Sequence, residues 1–180
     1  MEHVILVDEA DRPLGTADKM EAHRECARHR AFSVFVVSPA GDLLLQQRHE
    51  AKYHTGGLWT NACDGHPRPG EDVAAAAGRR LREEMGFSSP LEHLFSFTYE
   101  AAFDDGLTEC EFDHVYLGLF DGDPTPDPAE VAAWRWVGPE ELGRAVAAHP
   151  EEYAIWLRLA LPRVLAHLAG QAPGDPPTAP

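Results

Sequence analysis

Cysteine, basic residues and long apolar runs are all scarce in this sequence, and each scarcity excludes something. Cysteine occurs three times in 180 residues, as Cys26, Cys63 and Cys110. That is too few for the disulfide framework of a small secreted scaffold, so a reduced protein is expected. No stretch approaches the roughly 18 to 20 apolar residues that span a bilayer. The opening, MEHVILVDEADRPLG, has neither the basic start nor the long apolar run of a signal peptide. A soluble, cytoplasmic protein without a membrane partner is expected. Lys and Arg number 15 against 30 Asp and Glu, a formal net charge of −15. A field of that sign repels nucleic acid and anionic lipid. A small phosphorylated substrate then needs a local basic pocket, a bound cation, or both.

What is present is ordinary globular material, with 44% hydrophobic and 25% charged residues. The length suits one domain, here 1–169, followed by a Pro/Gly-rich tail over 170–180 that is expected to be disordered. Residues 2–8 read as a first strand ended by turn formers. Residues 18–30 are polar, with a helical turn near 19–22. AFSVFVV and LLLQQR flank Pro39, Ala40, Gly41 and Asp42, a hairpin signal. A Gly-rich loop over 54–57 leads to LWTNACDGHPRPGED.

From 71 to 85 the spacing predicts a helix. Val73, Ala77, Leu81 and Met85 recur every four residues, Glu71 and Asp72 occupy the first turn, and Gly86 closes the end. Strands are expected at 94–103 and 111–120, joined by Asp104, Asp105 and Gly106, and at 134–137. Helices are expected at 139–148 and 151–169. No internal repeat occurs. Interleaved strands and helices indicate an α/β or α+β fold.

Chemistry concentrates in two places. The first is the run from Gly65 through Glu71 to Arg79, Arg80, Leu81, Glu83, Glu84, Gly86 and Phe87. It resembles the Nudix box, GX5EX7REUXEEXGU, whose helix carboxylates bind a divalent cation that grips a diphosphate. Arg80 stands where the box has an acid. The plain alternative is a solvated helix in which Arg80 and Glu84 pair at i,i+4, worth a few tenths of a kcal/mol. The length of the spaced pattern argues against it. The second place comprises His23, His29, His66, Glu109 and Glu111. Glu109 and Glu111 are two apart at a strand start, so both point to one face and repel unless a cation or proton lies between them. Three imidazoles and two carboxylates suit a divalent ion. Singly, each His is more often a surface or core residue than a ligand.

The segments DKMEAH, HRAFSVFVV, LLLQQR, EAKYHTGGLWTN, GHPRPGE and FTYEAAFDDGLTECEFDHVY, with the late Trp156, resemble type I isopentenyl-diphosphate isomerases over roughly residues 2–165. The resemblance implies a Nudix-type α/β/α sandwich with a mixed sheet and an N-terminal extension. It implies conversion of isopentenyl diphosphate to dimethylallyl diphosphate without hydrolysis. It further implies a divalent metal (Mn²⁺, Zn²⁺ or Mg²⁺) on His23, His29, His66, Glu109 and Glu111. A Mg²⁺ on the substrate diphosphate would be approached by Glu84, with Lys19, Arg48, Lys52 and Arg80 around the phosphates. Tyr99 would sit beside Glu111, and Trp156 would face the cation formed at the branched carbon. A monomer or weak dimer is expected, with the small isoprenoid diphosphate as partner.

One position breaks the family pattern. The acid/base pair of the family is a cysteine directly before the Gly/Ser-His-Pro segment, acting with the second glutamate of Glu-x-Glu. Here that cysteine position holds Asp64, and Cys63 precedes it. Neighbours in an extended segment point to opposite faces, so Cys63 cannot replace Asp64 without a register change. An unperturbed Asp has a pKa of about 3.9 and a Cys about 8.5, so the carboxyl is the stronger acid but is mostly ionised at neutral pH. Isomerisation by Asp64 and Glu111 is one reading. Others are protonation of a longer isoprenoid leading to cyclisation, for which Asp64, Cys110 and the residues Ala154 and Ile155 before Trp156 speak, and hydrolysis of a diphosphate. A non-catalytic binding module is the last.

Overall fold

The computed structural model describes residues 2–52, 55–103 and 106–170. His54 of the Gly-rich loop, the turn residues 104–105 and the tail from 171 lie outside them. Among the described residues, nine strands join into one mixed sheet with helices on both faces. None of the helices is long and apolar enough to cross a membrane.

The centre of the sheet is β3 (His29–Val37), buried on both sides. Its alternation sends Phe32, Val34 and Val36 to one face, and Ala31, Ser33 and Phe35 to the other. It runs parallel to β8 (Thr108–Leu119), pairing His29 with Glu111 and Val37 with Leu119. β7 (Leu91–Ala102) closes a long antiparallel hairpin with β8, so both strands begin three residues earlier than the sequence predicts. β1 (His3–Val7) and β2 (Pro13–Asp18) add an antiparallel edge.

The predicted hairpin between β3 and β4 (Leu43–Arg48) does turn at Gly41, whose φ of 90° suits glycine. Only Val37 and Leu43 pair, however. Beyond that pair the strands part, because β4 takes β9 (Val131–Val137) and the short β5 (Trp59–Thr60), whereas β3 takes β6 (Cys63–Gly65). The splayed ends leave a cleft between them.

Two apolar layers fill the sandwich. α2 (Val73–Met85) packs Ala77, Leu81 and Met85 against Phe32, Val34 and Leu44. It starts two residues later than predicted. Asp72 is the N-cap, accepting from the Ala75 N–H at 3.0 Å, so Glu71 lies outside the helix and instead clamps Arg79 at 2.7 and 2.9 Å. Gly86 ends the helix in the left-handed region, as expected. On the other face, α4 (Ile155–Leu168) packs Leu157, Leu161 and Val164 against Phe35, Leu45 and Val115, with α3 (Pro139–Ala148) beside it. The predicted helix over 151–169 is interrupted at its start. Pro150–Glu152 forms a 3-10 turn, and Tyr153 bridges Trp59 while the Ala154 N–H donates to the Trp59 carbonyl at 2.9 Å. This extended link aims Trp156, in the first turn of α4, at the cleft.

α1 (Lys19–Glu25) is longer than the predicted turn, because the Asp18 side chain caps it by accepting from Met20 and Glu21. It ends at Cys26, which is disulfide-bonded to Cys110 with the Cα atoms 5.2 Å apart. The expectation of a reduced chain without disulfides is thereby corrected. The partners are 84 residues apart, and only the folding of α1 against the start of β8 brings them together.

Candidate active site

The cleft at the splayed end of the sheet has a volume of about 430 Å³ and draws on seven elements, β3 among them, and their loops. Lys19 comes from α1, Arg48 from the end of β4 and Lys52 from the loop after it. Asp64 and His66 come from β6 and the residue after it, Arg80 and Glu84 from α2. Glu109 and Glu111 come from β8 and Trp156 from α4. The two constellations of the sequence therefore share one cavity.

One potential ligand atom from each of His23, His29, His66, Glu109 and Glu111 lies within 4.8 Å of every other. His23 Nδ1 is 2.6 Å from the Lys19 carbonyl oxygen, and His29 Nδ1 is 2.8 Å from that of Ala27. A carbonyl oxygen only accepts, so in the neutral rings each Nδ1 carries the hydrogen and each Nε2 presents a lone pair inward. His23 Nε2 faces Glu109 at 3.3 Å, and His29 Nε2 faces His66 Nε2 at 3.2 Å. His66 Nε2 is also 2.8 Å from Glu111 Oε1. Inward lone pairs with two buried carboxylates form a donor set that fits a divalent cation.

Charge within the cluster is finely opposed. Burial pulls His66 down to about 4 against the attraction of Glu111, so the ring is neutral near pH 7. Burial also lowers His23, but hydrogen bonding and charge from Glu109 outweigh it and its pKa is raised. Burial and the neighbouring Glu109 push Glu111 up. The contacts of the carboxylate with the His29 and His66 imidazoles prevail, and its pKa is lowered. Tyr99 donates to Glu111 Oε2 at 2.7 Å, and burial followed by the Glu111 charge raises the phenol well above its ordinary value.

The basic groups line the same cleft, each held by carboxylates. Lys19 lies 3.2 Å from Glu2, and Lys52 pairs with Glu130. Arg80 reaches Glu83 at 2.9 Å and Glu130 at 3.3 Å, and also pairs with Glu84. Burial lowers the Lys52 pKa. It would lower Arg80 too, but the Glu84 charge prevails and raises it. Glu84 is buried and accepts from Gln46 at 2.8 Å.

A family model described as the NUDIX domain matches residues 27–160. A protein of Serratia proteamaculans named isopentenyl-diphosphate Delta-isomerase is 50% identical over 155 residues, covering 86% of this chain and 87% of the relative. Isopentenyl-diphosphate Delta-isomerase 2 of Aromatoleum aromaticum is 51% identical over 164 residues, covering 91% and 87%. The chain belongs to the Nudix-fold isopentenyl-diphosphate Delta-isomerase family. Its fold is similar to that of DR0079 from Deinococcus radiodurans, with a TM-score of 0.72 at 22% identity, covering 93% of this chain and 99% of the other.

Within this isomerase-family site the position of interest is Asp64. β6 pairs antiparallel with β3, placing Asp64 beside Ser33 and Cys63 beside Val34. Asp64 and Ser33 thus face the cleft, whereas Cys63 is fully buried in the layer under α2. Burial, then the Glu84 charge, raises the Cys63 thiol well above its ordinary pKa. Arg48 Nη1 donates to both oxygens of Asp64 at 3.1 and 3.0 Å. Trp156 donates its indole N–H to Thr60 Oγ1 at 2.8 Å, which fixes the ring at the cleft wall.

Four participants escaped the sequence reading: Gln46, Thr60, Glu130 and Asp113. Asp113 is buried and accepts from Ser33 Oγ at 2.7 Å. Burial and then Glu111 raise its pKa well above the carboxylate range. The period-two series Glu109, Glu111, Asp113 signals it. Glu130 has no such signal, because it reaches the cleft from a loop before β9.

Proposed function

We propose that this chain isomerises isopentenyl diphosphate to dimethylallyl diphosphate, with Asp64 and Glu111 as the pair of proton-handling groups. The reading takes residues 1–169 as one catalytic domain. One group adds a proton to the terminal methylene, leaving a tertiary cation at the branched carbon. The other removes a proton from the carbon on the diphosphate side, so the double bond moves and no proton is gained or lost overall. The carrying observation is that Asp64 turns into the cleft shared with Glu111 while Cys63 turns into the core. A carboxylate is therefore the group available where the family has its cysteine.

The other residues act around that pair. Lys19, Arg48, Lys52 and Arg80 would exchange their carboxylate partners for phosphate oxygens, and Glu84 would approach a Mg²⁺ carried by the diphosphate. Trp156 would present its π-face to the tertiary cation. Tyr99 orients Glu111 through its hydrogen bond. A divalent metal (Mn²⁺, Zn²⁺ or Mg²⁺) held by His23, His29, His66, Glu109 and Glu111 would supply positive charge that offsets two buried carboxylates. The same reading places the protein in the cytoplasm as a monomer or weak dimer, acting on a small isoprenoid diphosphate.

The test is incubation of the purified chain with isopentenyl diphosphate and Mg²⁺, with products followed by NMR. Dimethylallyl diphosphate is the expected product, and Asp64→Asn should form it at about a hundredth of the parent rate or less. Turnover confined to longer prenyl diphosphates would replace the reading by protonation, as in a cyclisation. Release of phosphate would replace it by hydrolysis. Full activity in Asp64→Asn would remove Asp64 from the chemistry.

A further inference from the structure

We infer that Cys26 and Cys110 form a redox modification site, a reversible disulfide that fastens α1 to β8 and sets how tightly the His/Glu cluster holds a divalent cation. The second half of this inference rests on the metal reading above. Cys110 lies between Glu109 and Glu111 on β8, and strand alternation turns its side chain away from theirs. Cys26 is the C-cap of α1, the helix that carries His23. The cross-link therefore ties the segment bearing one imidazole to the strand bearing both carboxylates, directly behind the cluster.

α1 is a short helix with few buried side chains. It is seven residues long and buries only Ala22 and His23, and a helix that short is marginal on its own. Its cap, Cys26, sits at φ 50° and ψ 41°, a left-handed conformation that costs a residue with a Cβ more than it costs glycine. With the disulfide cut, relaxation of that residue would let the helix end fray, drawing His23 from Glu109, which it now faces at 3.3 Å.

The chemistry is thiol–disulfide exchange with a small dithiol. Cys26 is half-buried and Cys110 buried, so the incoming thiolate attacks the Cys26 sulfur. Cys110 leaves and takes up a proton, and the second thiol of the reagent displaces Cys26. The protein disulfide becomes two thiols and the dithiol becomes a cyclic disulfide. The reverse direction consumes a small disulfide such as oxidised glutathione and releases two of its thiols.

The full chain, stripped of metal and equilibrated in oxidised or reduced glutathione or in dithiothreitol, provides the test. Intact mass should show the disulfide under oxidised glutathione and its loss under dithiothreitol. Reduction should speed amide exchange over residues 19–26 by about ten-fold or more. Mn²⁺ affinity, measured calorimetrically after reductant removal under anaerobic conditions, should fall by about ten-fold or more. Cys26→Ser should behave as the reduced protein in either buffer, and Cys63→Ser should respond to redox as the parent does. Failure to form the bond under oxidised glutathione overturns the inference, as does unchanged exchange over 19–26. Equal Mn²⁺ affinity in the two states also overturns it. If the oxidised parent binds no Mn²⁺, the metal reading and the tuning of affinity both fail, and the exchange difference alone decides the clamp.

Discussion

Arg48 donates one guanidinium nitrogen to both oxygens of Asp64, at 3.1 and 3.0 Å, while its charged carbon lies 5.2 Å from the centre of the Trp156 ring. Three groups assigned to separate tasks thus touch before any substrate arrives. The cation held over the indole occupies the kind of position that a tertiary carbocation would need, and Asp64 is its counter-ion. In the proposed reaction, substrate would draw Arg48 toward phosphate and leave Asp64 facing the alkene.

Asp64→Asn keeps the size and one acceptor but removes the proton-handling carboxylate, and kcat should fall by about 10²- to 10⁴-fold. Asp64→Cys should restore measurable turnover. Its pH optimum should move to the alkaline side, because an unperturbed thiol titrates at about 8.5 and an unperturbed carboxyl at about 3.9. Steady-state rates across pH check both variants.

Tyr99→Phe removes the donor to Glu111 without changing the packing volume much. A hydrogen bond to a charged group contributes about 1.5 to 3 kcal/mol, and urea unfolding should show a loss of that order. The Glu111 pKa should rise, moving the acid limb of kcat/KM upward.

Arg80 stands where the Nudix box has an acid, and it neutralises the buried Glu84. Arg80→Met leaves that carboxylate without its charge partner and should destabilise the metal-free protein by about 3 kcal/mol, near the low end for a broken buried pair because Arg80 itself is partly exposed. Arg80→Glu should cost more. Added Mg²⁺ should recover part of the loss in both, as read by chemical denaturation.

Acid should destabilise the metal-free chain in two windows. His66 is lowered from 6.5 to about 4, so the unfolded chain binds the extra proton first and stability is lost as pH falls from about 6.5 to about 4. The hydrogen bonds from Arg79 hold Glu71 at about 2 against 4.5 unfolded, so its contribution is present above 4.5 and is lost as pH falls toward 2. Glu71→Gln should flatten the lower window alone. In Mn²⁺ the upper window should deepen and reach lower pH, since bound metal competes with the proton on His66 and lowers its folded-state pKa further. Urea midpoints measured across pH decide both.

Local signals account for what was legible beforehand. Gly86 closes α2, the four-residue apolar spacing aims it at the core, and the Nudix spacing places Arg80 and Glu84 on it. Period two puts Glu109 and Glu111 on one face of β8, and it also puts Cys63 and Asp64 on opposite faces of β6. These are consequences of 3.6 and 2.0 residues per repeat, which a chain carries in its order alone.

Other features arise between segments distant in the chain. The parallel pairing of β3 with β8 brings His29 to Glu111, and the extended link from Tyr153 to Ala154 is drawn out of a helical pattern by Trp59. Scarcity of cysteine argued for a reduced chain, yet Cys26 and Cys110 meet across 84 residues. Sequence by itself determined the family, the α2 helix and which side chains can share a face. Tertiary structure alone decided that Arg48 meets Asp64, that Glu130 holds Lys52, and that the third and first cysteines join. The reason is physical: periodicity sets a side chain's direction within its own element, but its partner depends on how elements far apart in sequence dock on the shared core.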